Sequence, residues 1–370
     1  MDNQYQYQYT TTPEERQRRR EERIAARKVR ERARRKKMLL RLIAIAVLVA
    51  AVVGILFLAL GRNSGNNTED PPPVQTDPSP APPEEEEPQK PEEPAPPYNV
   101  SATASTATLG GELPSQYAVL IDLNSDTILA QKGADTVINP ASMTKIMTVL
   151  VAAEAIKDKS QLEDTVTIDL EITDYCFTND CSVAGFFLDE AVPVRDLFYG
   201  TILPSGAEAA IALARYIAGS HEEFVVMMNE KAKELGLSSS AHFTNCVGLY
   251  DEENVCTVRD MALIMKAALE NDLSREALTT NIYEIPANDF HAEGMILSNW
   301  FLRRIEDHIG EGITVKGAKT GYVSQAGSCA ASYAENTAGG RFICVTADST
   351  SSWQCIRDHV QLYDRFAGVD

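Results

Sequence analysis

The chain has 370 residues, with 34 Lys and Arg against 53 Asp and Glu, for a formal net charge of −19 at pH 7. A surface this acidic lacks the basic face that a nucleic acid requires. Hydrophobic residues make up 44% of the sequence, enough to bury a core and to exclude a wholly disordered chain.

The charge is unevenly placed. Residues 1–41 hold fourteen Lys and Arg, among them Arg34, Arg35, Lys36, Lys37 and Arg41, against six Asp and Glu, so this tail carries +8 and the rest −27. Residues 42–60 follow with nineteen positions and no charge, LIAIAVLVAAVVGILFLAL. At ~1.5 Å rise per residue that run matches a bilayer's hydrocarbon core, which predicts one transmembrane helix. Basic flanks stay cytoplasmic, so the tail is expected inside and everything after Leu60 outside, in a single-pass membrane protein. A cleaved signal peptide would have a shorter apolar core and a small-x-small site, which Leu56–Leu60 does not clearly offer. Twelve of the eighteen prolines fall between Pro71 and Pro97, interleaved with acids such as Glu84–Glu87. Residues 61–112 therefore read as a solvated, disordered linker, leaving 113–370 as one large folded domain, with or without a subdomain.

Within that domain Tyr117–Asp122 and Thr127–Ala130 are short apolar runs about the turn sequence Asn124-Ser125-Asp126, the pattern of a β-hairpin. A helix is expected next, with Asn139 as N-cap, Pro140 in the first turn, and Met143, Ile146, Met147, Leu150 and Val151 at helical spacing. Further helices are expected at 205–218, at 221–235 between Ser220 and Gly236, and at 258–270 with Thr257 and Asp260 as a cap pair. Strands are expected at Val315–Tyr322, Gly327–Tyr333 and Arg341–Ala347, and a last helix from Trp353 to Phe366.

Three strings carry chemistry: Ser142-Met143-Thr144-Lys145 after Pro140-Ala141, then Pro204-Ser205-Gly206, then Lys319-Thr320-Gly321. A lone Ser-x-x-Lys arises about once by chance in a chain of this length, so the weight lies in the ordered set. Helical spacing puts Ser142 and Lys145 one turn apart, where an amine reaches the hydroxyl; Lys145 acts as base only if burial or a second cation, such as Lys319, lowers its pKa. Lys319 and Thr320 suit a terminal carboxylate, and Gly321 lets a ligand backbone approach the strand. Ser205 reads as a proton relay, its plain alternative being a helix N-cap. Thr144 and Thr148 read as packing residues. His221, His242, His291, His308 and His359 show no metal spacing, and none adjoins the nucleophile string, so neither a metal site nor a Ser-His-Asp triad is indicated; no cofactor is expected. Of seven cysteines, Cys176/Cys181 and Cys246/Cys256 are close enough in sequence to form disulfides, whereas Cys329 and Cys344 are expected as buried free thiols.

The stretch from Tyr117 to Phe366 resembles the D-alanyl-D-alanine carboxypeptidase family of low-molecular-mass penicillin-binding proteins. Asn139–Thr148, Lys231–Ser238, His242–Asn245 through Gly248-Leu249, and Gly317–Tyr322 with Ala326-Gly327 carry the likeness beyond the three strings. The resemblance implies an α/β transpeptidase-like fold of the α+β type, an antiparallel sheet flanked by helices with a helical subdomain. It implies a serine peptidase trimming peptidoglycan stem peptides that end in D-Ala-D-Ala, with β-lactams as inhibitors. Ser142 would be acylated, Lys145 the base, Ser205 the relay, Lys319 and Thr320 the carboxylate ligands, and the backbone N–H groups of Ser142 and Tyr322 the oxyanion hole. Two departures stand out. The family's Ser-x-Asn is here Ser205-Gly206-Ala207, without the side-chain amide at a position expected to lie in the cleft. A basic residue before the last helix appears as Gln354, with Arg357 one turn later. A wall-binding scaffold with a weakened site and a β-lactamase-like hydrolase are the competing functions.

Overall fold

The computed structural model describes residues 98–368. The basic tail, the apolar run 42–60 and most of the proline-rich segment lie outside the described residues. Among the described residues no helix is long and apolar enough to cross a membrane.

The chain runs through β1 (Ser101–Thr108), β2 (Tyr117–Asp122), β3 (Thr127–Lys132), β4 (Val137–Ile138), a 3₁₀ turn (Ala141–Met143) and α1 (Thr144–Ala155). It continues with β5 (Thr165–Thr167), α2 (Leu170–Thr178), β6 (Ala191–Pro193), α3 (Val194–Ile202), α4 (Ala207–Ala218) and α5 (His221–Glu234). After these come β7 (Cys256–Thr257), α6 (Val258–Glu270), α7 (Asp272–Thr279), β8 (Ile282–Ile285), β9 (Met295–Ser298) and α8 (Leu302–Ile305). The last elements are β10 (Ile313–Val323), β11 (Gly327–Asn336), β12 (Arg341–Ser349) and α9 (Ser352–Phe366).

One six-stranded sheet, in the order β1-β3-β2-β12-β11-β10, organises the fold. Its inner strands are apolar on both faces because both faces are covered. Val119 and Ile121 of β2 join the core beneath the helices around α1, while Ala118 and Leu120 join the cluster with Leu362 and Tyr363 of α9. The same alternation places Ile343 and Val345 of β12 on one side and Phe342 and Cys344 on the other. The hairpin, the three C-terminal strands and the helices at 207–218, 221–234, 258–270 and 352–366 lie where their patterns predict. Ser220 Oγ accepts from Glu223 N at the start of α5, and Thr257 and Asp260 form a reciprocal capping box on α6.

Three expectations require correction. The sheet is mixed, not wholly antiparallel, because β1 pairs parallel with β3. The same strand moves the domain boundary: residues 101–108, read as linker, are sheet, and Val100 is already buried in the core. The pattern gave no warning because SATASTAT is a polar edge strand, held by backbone pairing more than by apolar alternation. Finally, Asn139 does not cap α1. Its Oδ1 accepts from Ala141 N, its amide donates to the carbonyls of Asp251 and Asn254, and a 3₁₀ turn separates it from the helix.

Candidate active site

Almost the whole of α1 is buried, from Thr144 to Ala153, so it is a central helix without a wet face, and Lys145 is carried inside with it. Lys145 is 2% exposed. Its Nζ bonds the Ser142 hydroxyl at 3.2 Å and donates to the Val247 carbonyl at 2.7 Å. Burial is the main cause that lowers its pKa, from 10.5 to about 8, because an ammonium loses its hydration there.

Ser142 sits in the 3₁₀ turn that enters α1, where the preceding Ala141 adopts a left-handed φ of +46°. That turn is gripped from two sides by backbone only glycine permits. A Cβ on Gly248, whose φ is +75°, would stand 1.9 Å from the Ala141 carbonyl oxygen. A Cβ on Gly321 would stand 2.8 Å from Ser142 N and 2.8 Å from Cys329 Sγ. Gly321 therefore brings β10 directly against the backbone of Ser142. The Gly248 segment is wound around Asn245, whose Oδ1 accepts from the N–H groups of Val247, Gly248 and Leu249. Its carbonyls face α1, Val247 receiving Lys145 and Cys246 receiving Thr148 Oγ1 at 2.7 Å, so Thr148 ties this segment to the helix.

A second lysine–serine couple faces the first. Lys319, also 2% exposed, donates to Ser205 Oγ at 2.8 Å and to the Thr320 carbonyl at 2.7 Å. Burial lowers its pKa well below the usual lysine value, with the Lys145 charge as the next cause, so the two cations share one electrostatic environment. For Lys145 itself burial, not a second cation, dominates. Ser205 is not a helix cap: its φ is +67°, and Gly206 holds the N-cap position of α4. β10 is the sheet's edge strand, so the outer rim of Lys319-Thr320-Gly321 is paired to no other strand of the sheet and can take an extended chain alongside it.

Position 207 does not lie open in the cleft. Ala207 is 1% exposed, and its N–H donates to the Ser182 carbonyl. Gln354 donates its amide to Asp358 Oδ1 and accepts from Arg357 at its side-chain Oε1, so both side chains are engaged within α9. All seven cysteines are free thiols: Cys176 hydrogen-bonds Cys181, Cys246 and Cys256 are separately buried, and Cys329 and Cys344 are buried in the sheet as expected. Sequence reasoning assigned no role to Asn245, Val247 or Glu208. Asn245 was visible only as part of the motif running to Gly248, and a backbone carbonyl such as Val247 leaves no signal in residue type.

A serine bonded to a desolvated lysine, facing a second such couple on a sheet edge, is equipped for acyl transfer. The sequence model of the D-alanyl-D-alanine carboxypeptidase family matches residues 101–351. The chain belongs to this family. Among curated members it is 36% identical over 222 residues to D-alanyl-D-alanine carboxypeptidase DacF of Bacillus subtilis, covering 57% of this chain and 52% of that protein. It is 36% identical over 231 residues to DacC of Escherichia coli, covering 61% and 55%. The chain thus spans about half the length of these carboxypeptidases. The crystal structure of the Streptomyces K15 DD-transpeptidase superposes with a TM-score of 0.63 at 27% identity, covering 70% of this chain and 98% of that one. Penicillin-binding protein 5 of Haemophilus influenzae superposes at 0.60 with 30% identity, covering 68% and 70%.

Proposed function

We propose that the chain is a serine D-Ala-D-Ala carboxypeptidase that trims peptidoglycan stem peptides through an acyl-enzyme on Ser142. The observation that carries this reading is the buried Lys145 amine, 3.2 Å from the Ser142 hydroxyl and lowered to about 8. In its neutral form Lys145 still donates to the Val247 carbonyl and turns its lone pair to Ser142, accepting the hydroxyl proton as Oγ attacks the penultimate carbonyl. The oxyanion that forms is assigned to the backbone N–H groups of Ser142 and Tyr322, a reading supported by the close approach of Gly321, the residue before Tyr322, to Ser142 N. Ser205, bonded to Lys319, gives its hydroxyl proton to the departing amine and takes up the one held on Lys145, so that D-alanine leaves, the carbonyl stays esterified to Ser142 and Lys145 is neutral again. Water then adds to the ester and restores the hydroxyl. Lys319 has a third N–H beyond those given to Ser205 and Thr320, and with the Thr320 hydroxyl it binds the terminal carboxylate. β-Lactams carry the same carboxylate and acyl carbonyl, and are expected to be trapped on Ser142.

The decisive experiment incubates the full chain with a fluorescent penicillin and, separately, with a peptide ending in D-Ala-D-Ala. Wild type should be labelled and should release D-alanine, and Ser142→Ala should do neither while keeping its melting transition. Label that persists in Ser142→Ala sinks the assignment. The basic tail and the nineteen-residue apolar run support an N-terminal anchor with the catalytic domain extracytoplasmic. Intact mass of membrane-extracted protein should include residues 1–60, and a mature form beginning in the proline-rich segment refutes the anchor.

A further inference from the structure

Glu208 follows Ala207 in the first turn of α4 and is 2% exposed. Its Oε1 accepts from the N–H groups of Ala184 and Gly185 at 2.6 and 2.9 Å. Its Oε2 is fully buried and has no hydrogen-bond partner. The loop it binds is the one that packs on the relay serine's neighbour, since a Cβ on Gly206 would meet Ala184 N at 2.8 Å. Two further bonds close the same corner, Gly206 N to the Gly200 carbonyl and Ala207 N to the Ser182 carbonyl, and between them Ser205 is held in its left-handed conformation. Backbone N–H groups of the same loop offset part of the cost of burying this carboxylate, and its negative charge acts to raise the pKa of the buried Lys145.

We propose that Glu208 is a positioning residue of the acyl-transfer site: through Ala184 and Gly185 it fixes the backbone that presents Ser205, and its buried negative charge acts on Lys145. The inference rests on the acyl-enzyme reading above. The groups that interact with Glu208 are Lys145 on α1, Cys176 on α2 and Cys181 in the following loop. Those that interact with Lys145 are Cys181, Cys246, Glu208, Cys176 and, from β10, Lys319. Burial pushes the Cys246 thiol up to about 12, while the hydrogen bond between Cys176 and Cys181 raises the Cys176 thiol, with burial adding to it, and lowers the Cys181 thiol; Glu208 is the carboxylate of the set. Burial raises the Glu208 carboxyl, and its backbone N–H donors restrain that rise. Its charge favours protonated Lys145 and so opposes the downward push of burial.

The test compares pH profiles of D-alanine release and of penicillin acylation for full-length wild type, Glu208→Gln, Glu208→Asp, Glu208→Ala and Cys181→Ser. Gln keeps the acceptor for Ala184 and Gly185 but removes the charge, so the acid limb of kcat/KM should move to lower pH by about half a unit or more. Asp keeps the charge on a shorter stem, so the limb should stay while kcat/KM falls. Ala loses both contributions and should fall about tenfold or more, and Gln keeps the test valid if Ala does not fold. An acid limb that does not move in Glu208→Gln, or that moves instead in Cys181→Ser, overturns the proposal while leaving the carboxypeptidase reading intact. Wild type that neither acylates nor releases D-alanine overturns both.

Discussion

Replacing Gly248 with alanine probes the two-sided grip on Ser142 without touching a reacting group. The new methyl would stand 1.9 Å from the Ala141 carbonyl oxygen, 2.4 Å from the Ala141 carbonyl carbon and 2.8 Å from Ser142 N. Ordinary contact lies near ~3.5 Å, so the two segments must separate by roughly 1.5 Å. The obstacles are backbone atoms, and no rotamer change relieves them. Met143 N bonds the Pro140 carbonyl at 3.0 Å across the turn, so the displacement is passed to Ser142. An L-residue at a φ of +75° adds left-handed strain of about 1–2 kcal/mol, and the overpacking about 1–3 kcal/mol more. Denaturant unfolding should therefore show a loss of about 2–5 kcal/mol. A misplacement near 1 Å is worth about a hundredfold in rate, so the second-order rate constant for penicillin acylation should fall by about that factor in protein that is still folded. Gly248→Ala that acylates within twofold of wild type at an unchanged unfolding midpoint would refute the account of how Ser142 is held.

Lys145 makes a prediction in pH. The acylation rate should rise with pH through about 8, as the amine loses its proton and becomes a base. Stability has its own sign: the folded value of about 8 lies below the ordinary lysine value of 10.5, so between them the unfolded chain binds more protons and this residue's contribution to stability rises with pH. The wild-type minus Lys145→Met difference in unfolding free energy should climb across that window, and a flat difference contradicts the burial argument. Asn245→Ala strands three backbone N–H groups, at about 1–3 kcal/mol, and loosens the Val247 carbonyl that holds Lys145. Acylation should drop about tenfold or more, and a variant with wild-type acylation shows that Asn245 does not position the lysine.

Local rules determined much of this protein before any tertiary contact was known. The one-turn spacing of Ser142 and Lys145, the capping box of Thr257 and Asp260, the hairpin of Tyr117–Asp122 and Thr127–Ala130 and the C-terminal strands follow from local capping and from helical and strand periodicity, which act over a few residues. Family motifs, read as ordered strings, placed Ser205 and Lys319 in one site although the two are 114 residues apart. The polar sequence of β1 was opaque to the same rules, because an edge strand held by backbone pairing does not need the alternation that pattern reading detects. Only the tertiary structure decided what makes the site work. The Val247 carbonyl meets Lys145 across 102 residues, and the Lys145 pKa is set by how much water the surrounding helices exclude. It also decided that Ala207 is enclosed, that Cys176 and Cys181 remain thiols, and that Gly248 and Gly321 meet at Ser142. Each of these depends on atoms brought together from distant parts of the chain, and burial and close approach belong to the assembled packing, not to any segment alone.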